Sequence, residues 1–366
     1  MRPFLALTTL LLLSAPAAAL AGNWQALPTG TERGCDFRFS GRIEPGDLTG
    51  YIETIEASGH VLPRLCLDSE GGSLAEVYGF IGRMAQSDEV AAFSTRIERG
   101  AQCLSSCAIL FMFGQTYGAN SPYPMRVMEP GARLAFHSPF IAPGREAGVD
   151  PADAFRVALD VSKLLVDSAY RALTTEGPAI RPEVVALILG TPPDEMYFVD
   201  TIGELNLLGI EIDSPEQRLV LPDDTGAFGE ATNRICAASH VLTNRQAFVS
   251  EGYDFADLVA AAREFERDGA EIHRLSLQPP EQFRSARIIA SASGPYHVPL
   301  WFSAGAALFC QVEFSVEPVA EGFRVSHYNV GFGAPSFDLN ARLAQPDEIT
   351  QYGLSVGLLP IDQPYR

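Results

Sequence analysis

Apolar residues arrive in short bursts along the first part of the chain, and the bursts differ in period. Val61 to Leu67 is an apolar run of strand length that stops at Asp68. Gly71-Gly72 follows, and from Ser73 to Met84 apolar positions recur at helical spacing, so a strand hands over to an amphipathic helix through a diglycine turn. Val90 to Ile97 predicts another strand. Ser106 to Phe113 is nearly all apolar and ends at Gly114, which predicts a buried helix with Ser105 at its head. Ala132 to His137 predicts a strand closed by Pro139. Helices are predicted near 151–175 and 181–189, the first with an apolar stripe of Phe155, Ala158, Val161, Leu165 and Ala169. This alternation of strand and helix over residues 35–215 reads as α/β.

The pattern changes at Ser214-Pro215-Glu216. Beyond it, apolar runs at Ile235 to Phe248, Phe255 to Glu266, Ala286 to Ala292, Ala307 to Phe314 and Phe323 to Gly331 predict a smaller α+β domain with no catalytic constellation of its own. At the other end, Arg2 precedes the apolar run Phe4 to Leu13, and Ala19-Leu20-Ala21 stands before Gly22, which reads as a secretory signal peptide. Removing it leaves roughly 345 residues, more than one ordinary core holds. The division expected is therefore 1–21 signal peptide, 22–215 first domain and 216–366 second domain. No later stretch is long and apolar enough to anchor the mature chain, so the expected location is periplasmic or secreted.

Composition sharpens this picture. Hydrophobic content of 47% with 19% charged residues describes a folded globular protein. The formal net charge of -19 argues against nucleic acid or an anionic membrane as partner and leaves a basic or neutral substrate. Six cysteines form an even set, as an oxidising compartment favours. Sequence position pairs Cys236 with Cys310, and Cys35 with Cys66 or Cys103. Cys103 and Cys107 flank Ser105, so a bridge to either holds that loop.

Candidate chemistry lies in three segments in fixed order: Ser69-Glu70-Gly71-Gly72, Cys103-Leu104-Ser105-Ser106-Cys107, and Phe136-His137-Ser138-Pro139. A diglycine turn lets backbone approach a ligand closely and frees N–H groups to face a developing negative charge. A serine hydroxyl at the head of a helix sits in the positive end of its dipole. Imidazole is the usual general base for such a hydroxyl. Taken one at a time, a serine before an apolar helix is ordinarily an N-cap and a histidine at a strand end a satisfied polar group. It is their order that points to a site.

That order resembles the proteolytic subunit of Clp protease, and more closely the secreted Clp-like proteins of bacteria. The matches are Ser69-Glu70-Gly71-Gly72, Ser105 with its spacing to Gly114, and Arg133 to Pro139, within a resemblance that covers about residues 35 to 215. It implies stacked ββα units of the Clp/crotonase type, with Ser105 as nucleophile, His137 as base and the N–H groups of Gly72 and Ser106 as the oxyanion hole. Glu70 stands where the family usually has Pro, and Ser106 is the alternative nucleophile. Residues Gly114 to Glu129 lengthen the serine-to-histidine interval, which an inserted surface loop explains. The resemblance also implies a homo-oligomer. For the third catalytic member it points near Leu208-Gly209-Ile210-Glu211-Ile212-Asp213, where Asp213 falls one residue late; Glu211, Asp200 and Glu204 are the substitutes.

Competing chemistries are weaker. A Ser/Lys dyad, as in signal peptide peptidase A, would need the single lysine, Lys163, which shares a helix face with Arg156, Asp160 and Asp167 as solvated ion pairs do. Neither cysteine takes the position the family gives to the nucleophile. His60, His240, His273, His297 and His327 have no metal-ligand spacing, so no metal and no cofactor are expected. Acyl-coenzyme A chemistry on the crotonase fold conflicts with export. The reading is a secreted serine peptidase acting on peptides or flexible protein segments; the alternative is a catalytically silent Clp-like domain that binds peptides or envelope proteins.

Overall fold

The computed structural model describes residues 22–28, 34–117, 122–140, 182–212, 220–224, 226–237, 252–268, 271–278, 286–293 and 309–333, with Asp150 and scattered helical positions between 156 and 166. Residues 1–21, where a signal peptide is expected, and Asp213 lie outside the described residues.

Mixed α/β structure begins with β1 (Asn23–Ala26), antiparallel to β2 (Phe37–Ser40). Phe37 and Phe39 are buried while Arg38 and Ser40 are half-buried, the alternation of a strand with one covered face. Helix α1 (Ile52–Ala57) leads to β3 (Arg64–Asp68), where Leu65, Cys66 and Leu67 are all buried, as in a central parallel strand. Helix α2 (Leu74–Met84) starts on Ser73, whose hydroxyl accepts from the Glu76 N–H, and buries Val77, Phe80 and Met84. Then come β4 (Ser94–Ile97), the short β5 (Gln102–Leu104) and α3 (Ser106–Met112), every residue of which is buried.

The interval after α3 corrects the expectation of an inserted surface loop. It holds a hairpin, β6 (Gln115–Tyr117) with β7 (Pro122–Pro124), and then β8 (Arg126–Met128), a buried strand of the main sheet. Turn-forming Gly, Pro and Asn hid it. Arg126 is 2% exposed and donates to the Leu208 carbonyl at 2.9 Å. Strand β9 (Arg133–Phe136), α4 (Pro182–Gly190), β10 (Tyr197–Phe198), α5 (Ile202–Leu208) and β11 (Glu211–Ile212) complete the region. A six-stranded sheet runs β1-β2-β3-β4-β8-β11, parallel from β2 onward, and a second sheet runs β10-β9-β5. The two are joined where Ser69, just past β3, bridges Cys103 of β5.

A buried carboxylate ties the α1 side of this region together. Glu76 accepts from the N–H groups of Leu48 and Thr49 and from the Thr49 hydroxyl. Burial alone would raise its carboxyl, but these donors outweigh that and hold it below the ordinary value. Asp36, paired with Arg64 at 3.1 Å, follows the same logic: burial opposes, the Arg64 contacts win, and the net shift is downward.

The later part of the chain is an antiparallel sheet. It comprises β12 (Val220–Leu221), β13 (Glu271–Gln278), β14 (Ala286–Ser293), β15 (Phe309–Val319) and β16 (Gly322–Gly333), in the order β12-β16-β15-β14-β13. A helical stretch at 226–237 packs on it, with the Phe228 ring 5.4 Å from Phe314 and 6.0 Å from Phe323. Helix α6 (Phe255–Asp268) instead buries Phe255, Leu258, Val259 and Ala262 in the core of the first region, next to Tyr197.

All six cysteines are paired, as Cys35–Cys66, Cys103–Cys107 and Cys236–Cys310. Three disulfides fit an oxidising, extracytoplasmic compartment. Among the described residues no helix is long and apolar enough to cross a membrane.

Candidate active site

Ser105 occupies an unusual backbone conformation. It joins β5 to α3 with φ 58° and ψ -125°, and among the described residues it is the one non-glycine with positive φ. Such a conformation costs about 1–3 kcal/mol and persists only where surrounding structure imposes it. Three restraints do so here. The Ser105 N–H donates to the Ala135 carbonyl at 3.0 Å, the Ile109 N–H donates back to the Ser105 carbonyl at 3.3 Å, and the Cys103–Cys107 bridge brackets the turn. The Ser105 hydroxyl does not cap α3, whereas Ser73 does cap α2. An N-cap role therefore does not account for Ser105. Ser106 is buried inside α3, and its hydroxyl has no hydrogen-bond partner among the described residues. Ser105 is half-buried and is the reachable hydroxyl of the two.

The diglycine turn lies against this serine. Ser69 donates its N–H to the Gln102 carbonyl at 2.6 Å and accepts from the Leu104 N–H at 3.0 Å, drawing the turn onto β5. The buried Ser69 hydroxyl accepts from the Gly71 N–H at 3.0 Å, so that N–H is already used. Gly72 differs. The Ile43 N–H donates to the Gly71 carbonyl at 2.9 Å and the Ser73 N–H to the Ile43 carbonyl at 2.8 Å, the pattern of a parallel bridge centred on Gly72. In that pattern the N–H of Gly72 itself faces away from Ile43. A Cβ at Gly72 would sit 2.1 Å from the Ile43 oxygen. A Cβ at Gly71 would sit 2.7 Å from the Ser105 Cβ and 3.1 Å from the Ser106 nitrogen. Each glycine is needed for a different close approach. Glu70 faces outward in an exposed pair with Arg42 at 3.2 Å.

His137 reaches the same corner. Strands β5 and β9 are parallel, with Leu104 opposite Ala135, so Ser105 and His137 leave neighbouring strands at their carboxyl ends. The His137 ring is buried, its Nδ1 lies 2.7 Å from the Ser138 carbonyl oxygen, and its centroid lies 5.3 Å from that of the exposed Phe140. No hydrogen bond joins Ser105 to His137 among the described residues.

The acids resolve differently. Asp213 lies outside the described residues. Glu204 is buried and committed: it accepts from the N–H groups of Asp200 and Thr201, from the Thr201 hydroxyl and from the Tyr197 hydroxyl, forming a capping box at the start of α5. Burial, then the bond and charge of Glu204, push the Tyr197 hydroxyl far above its ordinary value. Asp200 is exposed, and Glu211 sits on β11 at the far edge of the six-stranded sheet. Lys163 is an exposed helical residue. Among the described residues no three His, Cys, Asp or Glu side chains gather as a metal requires.

Two features of the site escaped sequence reasoning. Ser69 secures the turn through its hydroxyl, a role hidden because serine is ordinary in any turn. The Cys103–Cys107 pairing was signalled by its four-residue spacing around Ser105-Ser106. No protein-family model matches the chain, and no curated protein is significantly similar to it.

Proposed function

We propose that the protein is an exported serine hydrolase, a peptidase for peptides or flexible protein segments, with Ser105 as nucleophile and His137 as general base. The backbone of Ser105 carries this reading: a non-glycine residue held at φ 58° between a strand and a helix, its hydroxyl not spent on capping. Strand-to-helix turns of this kind expose a nucleophile, and the N–H of the following residue, here Ser106, serves as an oxyanion donor. Gly72 supplies the second donor. The order of the three segments supports kinship with the Clp/crotonase fold, as do the parallel strands that bring them together. The leader and the disulfides support a periplasmic or secreted location, where an ATP-driven unfoldase has no fuel, so unfolded or short substrates fit best.

Attack by Ser105 Oγ on a peptide carbonyl transfers its proton to His137 Nε2. The oxyanion that forms is met by the Gly72 and Ser106 N–H groups, and His137 then returns the proton to the leaving amine.

A second reading, a groove that binds peptides without cutting them, rests on the missing hydrogen bond between Ser105 and His137. Labelling with a fluorophosphonate probe separates the two. The expected result is labelling of the mature wild type, lost in Ser105→Ala, reduced at least a hundredfold in His137→Ala and retained in Ser106→Ala. Well-folded wild type that takes no label overturns the hydrolase reading.

A further inference from the structure

We propose that the third member of the Ser105–His137 system is a main-chain carbonyl, that of Ser138, in place of a side-chain carboxylate. This rests on the hydrolase reading and goes beyond it. A carbonyl oxygen can only accept a hydrogen bond, so at 2.7 Å the His137 Nδ1 carries the proton. A neutral imidazole has one N–H, which leaves the lone pair on Nε2. That is the tautomer a general base for a serine hydroxyl needs, and one that a carboxylate behind the ring ordinarily enforces.

The carbonyl is held in place from both sides. The Ser138 N–H donates to the Thr191 carbonyl at 2.9 Å, and Thr191 is itself fastened to the last turn of α4 through its N–H and its hydroxyl, both on the Leu187 carbonyl. Pro139 confines Ser138 to extended backbone and so limits where its oxygen can point. Among the described carboxylates suggested by the sequence, Glu204 is committed to its capping box, Asp200 is exposed, Glu211 lies on the edge strand β11, and none is hydrogen-bonded to His137.

Protons balance without any change at Ser138. As the bond from Ser105 Oγ to the substrate carbon forms, the Oγ–H proton moves to His137 Nε2, and Nδ1 keeps its own proton throughout. The imidazolium then has two N–H groups, one facing the Ser138 oxygen and one ready for the leaving amine. A carbonyl dipole offsets the new positive charge less than a carboxylate does, so the enzyme is a slow one.

The test reads the tautomer directly. In nitrogen-15 NMR spectra of the mature protein, with His137 assigned by its loss in His137→Gln, the neutral ring is expected to show a protonated Nδ1 and a pyridine-like Nε2. In parallel, Asp200→Asn, Glu211→Gln and Asp213→Asn are expected to label with the fluorophosphonate probe within threefold of wild type. A proton on Nε2 in a wild type that labels overturns the role of Ser138 alone and leaves the hydrolase intact. So does a loss near 10⁴-fold in one carboxylate variant, the effect of removing a triad acid. Wild type that does not label overturns both readings.

Discussion

Two glycines meet almost the same obstacle in different parts of the molecule. A Cβ at Gly72 would lie 2.1 Å from the Ile43 oxygen, and one at Gly322, the first residue of β16 just past the turn from β15, would lie 2.2 Å from the Leu221 oxygen. Both have positive φ. Yet Gly72 stands where short parallel strands end together, while Gly322 closes a hairpin between strands of 11 and 12 residues. In the first region strands of three to five residues deliver Ser69, Ser105 and His137 to one corner by their carboxyl ends. In the antiparallel sheet successive strand ends alternate between opposite edges, so no such gathering arises. Local geometry is shared; topology decides which glycine lies beside the candidate site.

Substituting each glycine by alanine puts this contrast at risk. Gly72→Ala keeps the N–H but its Cβ, 2.1 Å from the Ile43 oxygen, forces the backbone to shift, and fluorophosphonate labelling is expected to fall by about 10²–10³-fold, the scale of an oxyanion donor moved out of reach. Gly322→Ala is expected to lower the melting temperature and leave the labelling of folded protein unchanged. Equal losses of labelling in both would erase the distinction.

Disulfides sharpen it further. Replacing Cys103 and Cys107 by serine frees the turn around Ser105, and labelling is expected to fall about tenfold, with a stability loss of about 2 kcal/mol for so short a loop. Replacing Cys236 and Cys310, which are 74 residues apart, is expected to cost roughly 4 kcal/mol by denaturant titration with labelling of the folded fraction unchanged.

Acid gives the smallest and most local effect. Glu76 and Asp36 are both held below their ordinary values of 4.5 and 3.8, so their contribution to stability is complete above those values and is lost as pH falls below them. Thermal unfolding between pH 7 and pH 3 is expected to show the first region weakening in this window. Glu76→Gln is expected to be less stable at pH 7 and to flatten that pH dependence; an unchanged slope would remove Glu76 from the account.

What could be read from sequence follows the same divide. Helices α2 and α3, strand β9 and the Cys236–Cys310 pair were legible because periodicity, a diglycine, a terminal proline or simple position marked them. Strand β8 was not, since its three residues carry a buried arginine and follow a Gly- and Pro-rich stretch. Strand β13 was missed because Glu271–Gln278 mixes charged and apolar residues without a long apolar run. Helix α6 falls within the second domain expected at 216–366, yet its apolar face lies in the core of the first region. The backbone of Ser105 and the carbonyl of Ser138 are set in part by Ala135 and Thr191, neighbours distant in the chain that the local sequence does not reveal.

The Cys103–Cys107 bridge also has a bearing on when the turn around Ser105 is complete. In the reducing cytoplasm the nascent chain carries two thiols there, and the turn that presents Ser105 lacks its cross-link. Oxidation after export completes it. The geometry of the turn is thereby tied to the redox state of the compartment that holds the chain.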